Sequence, residues 1–315
     1  AMFLTLILSS FLTFMELNCE NLFDTRHDSL KNDLEFLPDG SYKWMPYRYW
    51  AKLNHLGQEI VAQSNPIPDF VAMCEVENDS VMFDLTRRSL LRNAGYEYVM
   101  TSSPDERGID VALLYQPASF ALLHSHSIRI TPLPDTRPTR DILYASGVII
   151  TGDTLHVFVV HAPSRRGGEV FSRPYRLHVA DRLAAAVDSI YAISGDAKII
   201  VAGDFNDYAD SPALKRLYQH HLINISRDAQ GTHGAKATYR WHGEWRSLDQ
   251  VLCSPSLAKA KQKCQIGDQP FLLEDDEKYG GKKPYRTFLG PRYLGGYSDH
   301  LPLLVQFVLP EGTRI

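Results

Sequence analysis

The sequence predicts a single α/β domain in which β-sheet layers are covered by helices. Short runs rich in Val, Ile, Leu and Phe alternate with stretches of helical periodicity along the whole chain. Hydrophobic residues make up 44% of the 315 residues, which is enough to bury one large core or two smaller ones. No repeat, low-complexity linker or change of composition divides the chain, and this continuity favours one domain.

The predicted strands and helices follow from the spacing of the apolar residues. The predicted strands are short and apolar, as partly buried strands are, and they cover residues 12–19, 70–74, 111–115, 149–150, 155–160, 199–202, 250–252 and 301–307. The predicted helices cover residues 47–63, 80–94, 175–193 and 211–220. In the third helix the apolar side chains recur at the spacing of one helical face, which predicts that this face is buried.

The charge and the cysteine content argue against three classes of protein. The formal net charge is −4, whereas a protein that grips long nucleic acid usually carries a basic surface. A local basic patch is still compatible with this total. The four cysteines form no CxxC pair, so neither a disulfide scaffold nor a zinc site is indicated. We interpret them as apolar residues of strands.

The apolar start of the chain allows two interpretations. Residues 1–11 are either the remnant of a trimmed export signal or an extension of the first strand, since they lack the positive lead of an intact signal peptide. The first interpretation favours a secreted or periplasmic protein of a bacterium, and the second a cytoplasmic protein. No apolar stretch is long enough to span a bilayer, so no integral membrane segment is expected. A monomer is the expected state.

Polar side chains that can perform chemistry occur where the predicted strands end. They are Asn18 and Asn21 at the first strand, Glu75 and Glu77 at the second, His161 at the fifth, and Asp204 and Asn206 at the sixth. Open α/β sheets build their sites from residues at strand ends. The pattern therefore predicts one site that collects these residues.

The strongest motif is the run Ile199-Ile-Val-Ala-Gly-Asp-Phe-Asn-Asp207. Gly203 permits a tight turn, and Asp204 and Asn206 face the same side of an extended chain because they are two residues apart. A carboxylate can act as a general base or bind a hard cation, and an amide can orient a phosphate oxygen or a water. The alternative is an ordinary strand-to-turn junction, since Asp and Asn favour turns.

A second motif places Asp299 and His300 next to each other in a glycine-rich loop before an apolar strand. Asp299 suits the coordination of Mg²⁺ or Mn²⁺. His300 suits general acid work or charge stabilisation near neutral pH. The alternative is an aspartate that caps a turn beside a solvated histidine.

Glu75 and His161 end two further strands. Glu75 emerges from a buried strand, where an unpaired carboxylate is costly, so either a metal ion or a salt bridge is the expected partner. His161 is followed by Arg165 and Arg166, whose guanidinium groups can bind phosphate in a forked geometry. The alternatives are a satisfied core histidine and a solvated loop.

Buried carboxylates are expected to orient the two histidines. A hydrogen-bonded carboxylate fixes the tautomer of an imidazole and raises its pKa. Asp249 is the predicted partner of His300, and Asp110 is a possible partner of His161.

A segment rich in cations and aromatic side chains, residues 279–293, precedes the second motif. Such a mixture can bind a phosphate together with a base, a sugar or a lipid. The candidate substrate-binding residues are Tyr285 and Arg286 from this segment, with Arg107 and Arg165 from two other loops. The segment could equally be a long surface loop.

In their order along the chain, these motifs resemble the endonuclease/exonuclease/phosphatase superfamily, whose members include pancreatic-type DNases, apurinic endonucleases, inositol polyphosphate phosphatases and sphingomyelinases. The motifs are Asn-x-x-Asn, a Glu after a strand, His-x-Pro-Ser, Gly-Asp-Phe-Asn, Leu-Asp-Gln-Val and Ser-Asp-His-Leu-Pro, and they extend from Phe14 to Phe307. The segments that begin at Asn21 and Arg107 look most like a bacterial branch. The resemblance implies a four-layer α/β/β/α sandwich over residues 12–310, with two mixed β-sheets face to face and helices outside.

The resemblance also implies roles for the site residues. Glu75 would be the main metal ligand, helped by Asn18 and Asp299, and the cofactor would be Mg²⁺ or Mn²⁺. Asp204 would activate or orient the attacking water, and Asn206 would hold the phosphate. His161 and His300 would stabilise the developing charge, with Asp249 orienting His300.

Three functions are compatible with these residues. The first is a metal-dependent phosphodiesterase or nuclease, and the second is a phosphatase or phosphodiesterase for a small molecule or a phospholipid head group. The net charge of −4 favours the smaller substrate. The third is a catalytically silent binding module on the same scaffold, against which the complete set of motifs argues.

Overall fold

Two six-stranded β-sheets lie face to face at the centre of the molecule in the computed structural model, which describes residues 9–310. The strands are β1 (Ser9–Leu22), β2 (Phe70–Val76), β3 (Glu97–Met100), β4 (Asp110–Tyr115), β5 (Phe120–Ile128), β6 (Ile142–Ile149), β7 (Thr154–His161), β8 (Lys198–Asp204), β9 (Ile223–Asn224), β10 (Tyr239–Trp241), β11 (Glu244–Arg246), β12 (Asp249–Cys253), β13 (Lys261–Ile266), β14 (Leu273–Asp275), β15 (Lys282–Pro284), β16 (Phe288–Leu289), β17 (Arg292–Tyr293) and β18 (Leu303–Pro310). The α-helices are α1 (Pro46–Val61), α2 (Asp79–Arg87), α3 (Glu169–Ile193), α4 (Pro212–Tyr218) and α5 (Pro255–Ala258). Short 3-10 helices cover Leu34–Phe36, Leu90–Asn93 and Pro270–Leu272.

Both sheets contain parallel and antiparallel pairs. The first sheet has the strand order β13-β18-β1-β2-β4-β3, and the second has the order β5-β6-β7-β8-β12-β9. In the first sheet β1 and β2 run parallel, and in the second β7 and β8 do, while their other neighbours are antiparallel. Three two-stranded ribbons, β10–β11, β14–β15 and β16–β17, extend from this framework.

The core between the sheets is built from alternate residues of their strands. In β1, Leu12 and Phe14 pack into the layer between the sheets, together with Val157 of β7. Met15 and Leu17 of β1 point to the opposite face and pack in a second cluster. This alternation follows from the two-residue period of a strand, so one strand supplies two apolar layers.

Helices cover the outer faces of both sheets. Leu53 of α1 and Leu85 of α2 are completely buried in the cluster on the first sheet. Leu183 of α3 and Leu214 of α4 are completely buried in the cluster on the second sheet. The layers therefore follow the order α/β/β/α, and the expected fold class is confirmed.

Seven of the eight predicted strands are present, whereas the edge strands and most of the inner strand β6 were missed. The predicted strand at residues 149–150 is wrong, because Ile149 ends β6 whereas Ile150 lies in the following turn and is 60% exposed. The sequence did not predict β3, β5 or β13, which lie at or next to a sheet edge and carry many exposed side chains.

All four predicted helices are present with shifted bounds, and two of them differ by more than two residues at one end. The helix predicted at residues 80–94 is α2, which ends at Arg87, followed by a separate 3-10 helix. The helix predicted to begin at residue 175 begins at Glu169, so that Pro174 lies inside it. A proline near a helix start removes one backbone hydrogen bond without preventing the first turn from forming.

Residues 1–8, the larger part of the segment interpreted as a signal remnant or a strand extension, lie outside the described residues. Residues 9–11 belong to β1. All four cysteines are free thiols, and each lies in a strand. Among the helices of residues 9–310, none has the length and apolarity needed to cross a membrane.

Candidate active site

The strand register places three predicted site residues side by side. His161 at the end of β7 pairs with Asp204 at the end of β8, and Asp204 pairs with Asp249 at the start of β12. Asn18 of β1 reaches them from the opposite sheet, since its Nδ2 donates a hydrogen bond of 3.0 Å to Oδ2 of Asp204. The two sheets therefore meet in one polar cluster at the ends of these strands.

The backbone around this cluster is unusual at three positions. Gly203 has a φ of 146°, and a Cβ at this position would lie 1.8 Å from the carbonyl oxygen of Val160. Only glycine therefore allows β7 and β8 to approach directly before Asp204. Glu75 and Asn206 have φ values of 62° and 48°, in the left-handed region that side chains with a Cβ seldom adopt.

Asp204 is the centre of the cluster. Its side chain accepts hydrogen bonds from Asn18 and from the backbone N–H of Asn206, the latter at 2.8 Å. The Nδ2 of Asn206 donates to the carbonyl of Ala162 at 3.0 Å and lies 3.4 Å from Oδ2 of Asp204. Burial, together with the nearby charge of Asp249, raises the pKa of Asp204 to about 7.

His300 and Asp249 form the hydrogen bond that the sequence predicts. Nδ1 of His300 lies 2.8 Å from Oδ2 of Asp249, which also accepts from the hydroxyl of Thr238. This leaves Nε2 of His300 directed to Asp204, 4.0 Å from its Oδ2. Burial alone would lower the pKa of His300, but the adjacent carboxylates, first of all Asp249, raise it well above its ordinary value.

The surroundings of His161 favour the neutral form of its imidazole. Its Nε2 lies 3.7 Å from Oδ2 of Asp204 and 3.8 Å from Oε1 of Glu75. Burial, reinforced by the guanidinium groups of Arg140 and Arg107, lowers the pKa of His161 well below its ordinary value. Among residues 9–310, its buried Nδ1 has no hydrogen-bond partner.

The predicted pair of Asp110 with His161 is wrong. The carboxylate of Asp110 accepts hydrogen bonds from the hydroxyls of Thr101 and Ser103 and from the backbone N–H of Ser103. These bonds tie Asp110 to the segment after β3. The residue that holds the end of β7 is Arg140, which donates to the backbone carbonyls of His161 and Ala162.

The three predicted metal ligands have oxygen atoms around the cluster. Oε2 of Glu75 accepts from the backbone N–H of Asn21 at 2.8 Å, while its Oε1 faces His161. Oδ1 of Asn18 accepts from the backbone N–H of Glu20 at 2.9 Å. Oδ2 of Asp299 accepts from Arg286 at 3.2 Å, and its side chain is 20% exposed.

The residues present fit a hard divalent cation. Asp204, Asp249 and His300 can each offer one ligand atom, and these atoms lie within 4.8 Å of one another. The closeness of His300 to Asp249 is explained by their hydrogen bond, so the oxygens of Glu75, Asn18 and Asp299 are the better donors. Oxygen ligands are those that Mg²⁺ and Mn²⁺ prefer. Burial, followed by the charge of Asp249, raises the pKa of Asp204, and a nearby cation would favour its charged form.

Sequence reasoning missed Glu16, a completely buried carboxylate on β1. Among the described residues, neither of its oxygens has a hydrogen-bond partner. Burial, followed by the charges of Asp249 and Asp204, raises its pKa well above the ordinary value. A signal was present, because a glutamate inside an apolar strand, two residues before Asn18, faces the same side as Asn18.

The four predicted substrate-binding residues divide into two groups. Arg107 and Arg286 border the cluster: Arg107 lies 4.0 Å from Glu75, and Arg286 bonds Asp299. Arg165 instead pairs with Asp207 at 2.8 Å, and the hydroxyl of Tyr285 donates to the carbonyl of Leu294 at 3.1 Å. The contacts of Arg165 and Tyr285 therefore lie outside the cluster.

The chain matches one family model and many solved structures. Residues 13–308 match the model of the endonuclease/exonuclease/phosphatase family. Similar solved structures include a family protein of Bacteroides thetaiotaomicron (13% identity, TM-score 0.64, covering 97% of this chain and 100% of that one). They also include the mannosyl-6-phosphatase Bt3783 of B. thetaiotaomicron (15% identity, TM-score 0.63, covering 93% of this chain and 98% of that one). A third is the human Nocturnin catalytic domain (20% identity, TM-score 0.55, covering 95% of this chain and 97% of that one). No curated protein sequence matches the chain significantly.

Proposed function

Because the chain belongs to the endonuclease/exonuclease/phosphatase family, whose members are phosphoester hydrolases, we propose that residues 12–310 form a divalent-metal-dependent hydrolase with the strand-end cluster as its catalytic centre. The observation that carries the proposal is the buried array of Asp249, His300 and Asp204. It places an imidazole that carries a proton beside a carboxylate that can accept one. Such a pair suits acid–base chemistry near neutral pH.

Each residue of the cluster has a role in this proposal. Asp204 orients and deprotonates the attacking water, and Nδ2 of Asn206 donates to a phosphate oxygen. His161 and His300 stabilise the charge that develops on the phosphoryl oxygens. Asp249 fixes the tautomer of His300 through the 2.8 Å hydrogen bond.

The water attacks the phosphorus directly and in line with the leaving oxygen. No covalent intermediate is proposed, because Ser298 and Cys74, which border the cluster, donate to the backbone carbonyls of Asn18 and Val160 and not to a side-chain base. Glu75, Asn18 and Asp299 would hold Mg²⁺ or Mn²⁺, which supplies positive charge to the phosphoryl oxygens when bound.

A small phosphoester is the favoured substrate, ahead of long nucleic acid. The net charge of −4 does not provide the basic surface on which nucleic-acid binding depends. The related fold of a protein named as a mannosyl-6-phosphatase supports the same choice. A nuclease is the second candidate, and exposed Arg107 beside Glu75 is the feature that favours it.

The test is metal-dependent hydrolysis of a panel of phosphomonoesters, phosphodiesters, DNA and RNA. We expect activity that needs Mg²⁺ or Mn²⁺, and we expect Asp204→Asn and Asp249→Asn each to lower kcat about 100-fold or more. Asp188→Asn is the matched control, because Asp188 also bonds a histidine, His220, at 2.8 Å but on the surface. Full activity of the two site variants would remove these roles.

A further inference from the structure

A cavity of about 600 Å³ opens beside the proposed catalytic centre. Its walls come from three loops, residues 105–107, 130–140 and 163–167, and from the first three turns of α3. This size is in the range of pockets that hold small organic ligands. The sequence motifs pointed to it only through Arg107 and Arg166, which are the two residues of its lining that the sequence indicated for phosphate or substrate binding.

The cavity is connected to the catalytic cluster through two arginines. Arg140 lines the cavity and donates to the backbone carbonyls of His161 and Ala162. Arg107 lines it as well, bonds Asn21 and lies 4.0 Å from Glu75. A molecule whose phosphate is bound at the catalytic cluster, where His161 and Glu75 lie beside these arginines, can therefore extend its remaining part into this space.

The charges that line the cavity nearly cancel. The lining contains four arginines and three carboxylates. Two ion pairs form among them: Arg140 with Asp105 at 3.2 Å, and Arg137 with Glu106 at 3.6 Å. A second phosphate or a polyanion would call for a clear excess of positive charge. Paired donors and acceptors suit a neutral group that carries several hydroxyls.

Aromatic rings complete the lining on the side of α3. Phe171 is 65% exposed although it lies at the cavity, and its ring packs over Gly167 and edge-on to Tyr175 at 5.8 Å. An exposed phenyl ring at a cavity mouth gains by covering the apolar face of a ligand. The lining thus combines hydrogen-bonding groups on one side with an apolar platform on the other.

We propose that this cavity binds the part of the substrate that carries the phosphate, and that this part is a neutral, hydroxylated ring of sugar size. The proposal rests on the proposed function, because it assigns the substrate class of the same site. Hydrolysis cleaves the bond between phosphorus and the ester oxygen, adds water across it, and leaves the free hydroxylated ring in the cavity with inorganic phosphate beside it.

The experiment compares two substrates in metal-loaded enzyme: an aldohexose 6-phosphate, whose ring fills the cavity, and methyl phosphate, which lacks a ring. We expect kcat/KM to be much higher for the hexose phosphate. Phe171→Ala and Tyr175→Ala should each raise KM for the hexose phosphate about tenfold. They should leave kcat/KM for methyl phosphate unchanged.

Val170→Ala is the matched control, because Val170 is 77% exposed in the same helical turn and does not line the cavity. Equal effects of the Phe171 and Tyr175 substitutions on both substrates would overturn the cavity proposal, and so would cleavage of DNA with no cleavage of sugar phosphates. Either result leaves the proposed hydrolase intact. Inactivity on every phosphoester with either metal would instead reject the proposed function itself.

Discussion

Glu59 of α1 and Asp249 of β12 are both buried carboxylates, but their surroundings differ. Oδ2 of Asp249 is bonded by His300 and Thr238. Both oxygens of Glu59 lack a hydrogen-bond partner among the described residues. Burial therefore raises the pKa of Glu59 to about 8, against the opposing charge of Lys52.

This difference predicts a pH dependence of stability at Glu59. The pKa is about 8 in the folded chain and about 4.5 in the unfolded chain, so the folded state binds the proton more tightly. The contribution of Glu59 is fully present below pH 4.5 and is lost as the pH rises to about 8. We expect Glu59→Gln to flatten the decrease in unfolding free energy over this interval, as measured by urea denaturation.

The control is Glu277→Gln, at an exposed glutamate. It should leave the pH dependence of stability unchanged. If Glu59→Gln leaves it unchanged as well, the carboxyl group of Glu59 is not neutral in the folded chain.

At the residue scale, sequence reasoning could find side chains whose chemistry and strand position agree. Asp204 and His300 were identified because an apolar strand or a glycine-rich loop leads to each of them. The partner of Asp110 could not be predicted, since Thr101 and Ser103 reach it only after β3 has folded beside β4. Side-chain hydrogen bonds formed when two neighbouring strands pair leave no periodic trace in the sequence.

At the scale of elements, the approach of β7 to β8 depends on Gly203. A Cβ there would overlap the carbonyl oxygen of Val160, which belongs to the backbone and cannot turn away. We expect Gly203→Ala to lower the unfolding free energy by about 3 kcal/mol or more and to displace Asp204. Chemical denaturation and the rate of phosphoester hydrolysis measure the two effects.

Gly195→Ala provides the comparison for this substitution, because nothing lies within 4 Å of a Cβ added at Gly195. That variant should change the unfolding free energy by less than about 1 kcal/mol. Similar stability of the two variants would show that the strands can separate to accept a methyl group.

Most central strands could be predicted and the edge strands could not, for a physical reason. The exception is β6, an inner strand of which only the last residue was predicted. β2 and β8 are buried on both faces, so they are continuous apolar runs. β13, Lys261–Ile266, lies at an edge and carries two lysines and two glutamines. Polar side chains at a sheet edge prevent pairing with other chains. Because such a strand has few apolar residues, a search for apolar runs does not detect it.

At the scale of the whole molecule, the candidate site joins the two sheets. Asn18 and Glu75 come from the first sheet, and Asp204 and Asp249 come from the second. Periodicity alone does not state which strands become neighbours. The four-layer arrangement was therefore predictable only from the order of the motifs, through their resemblance to a family.

A cation held by Glu75, Asn18 and Asp299 would join β1, β2 and the loop before β18, and it should stabilise the whole domain. We expect the thermal midpoint to rise with Mg²⁺ or Mn²⁺, by an amount that corresponds to about 2.7 kcal/mol at 100 times Kd. Glu75→Gln should remove most of this rise. Glu97→Gln should not, because Glu97 lies in the same sheet but pairs with Arg87 at the surface. A midpoint independent of the metal in the unsubstituted chain would contradict the proposed metal site.

Glu75 and Asn206 adopt a left-handed backbone that lowers stability, while the proposed activity requires both side chains. A residue with a Cβ loses about 1 to 2 kcal/mol in this conformation, less for asparagine, and glycine would avoid that loss. Selection for heat resistance alone would therefore favour glycine at positions 75 and 206. In the proposed mechanism, the variants that survive heating best would be those that no longer bind the metal or hold the phosphate.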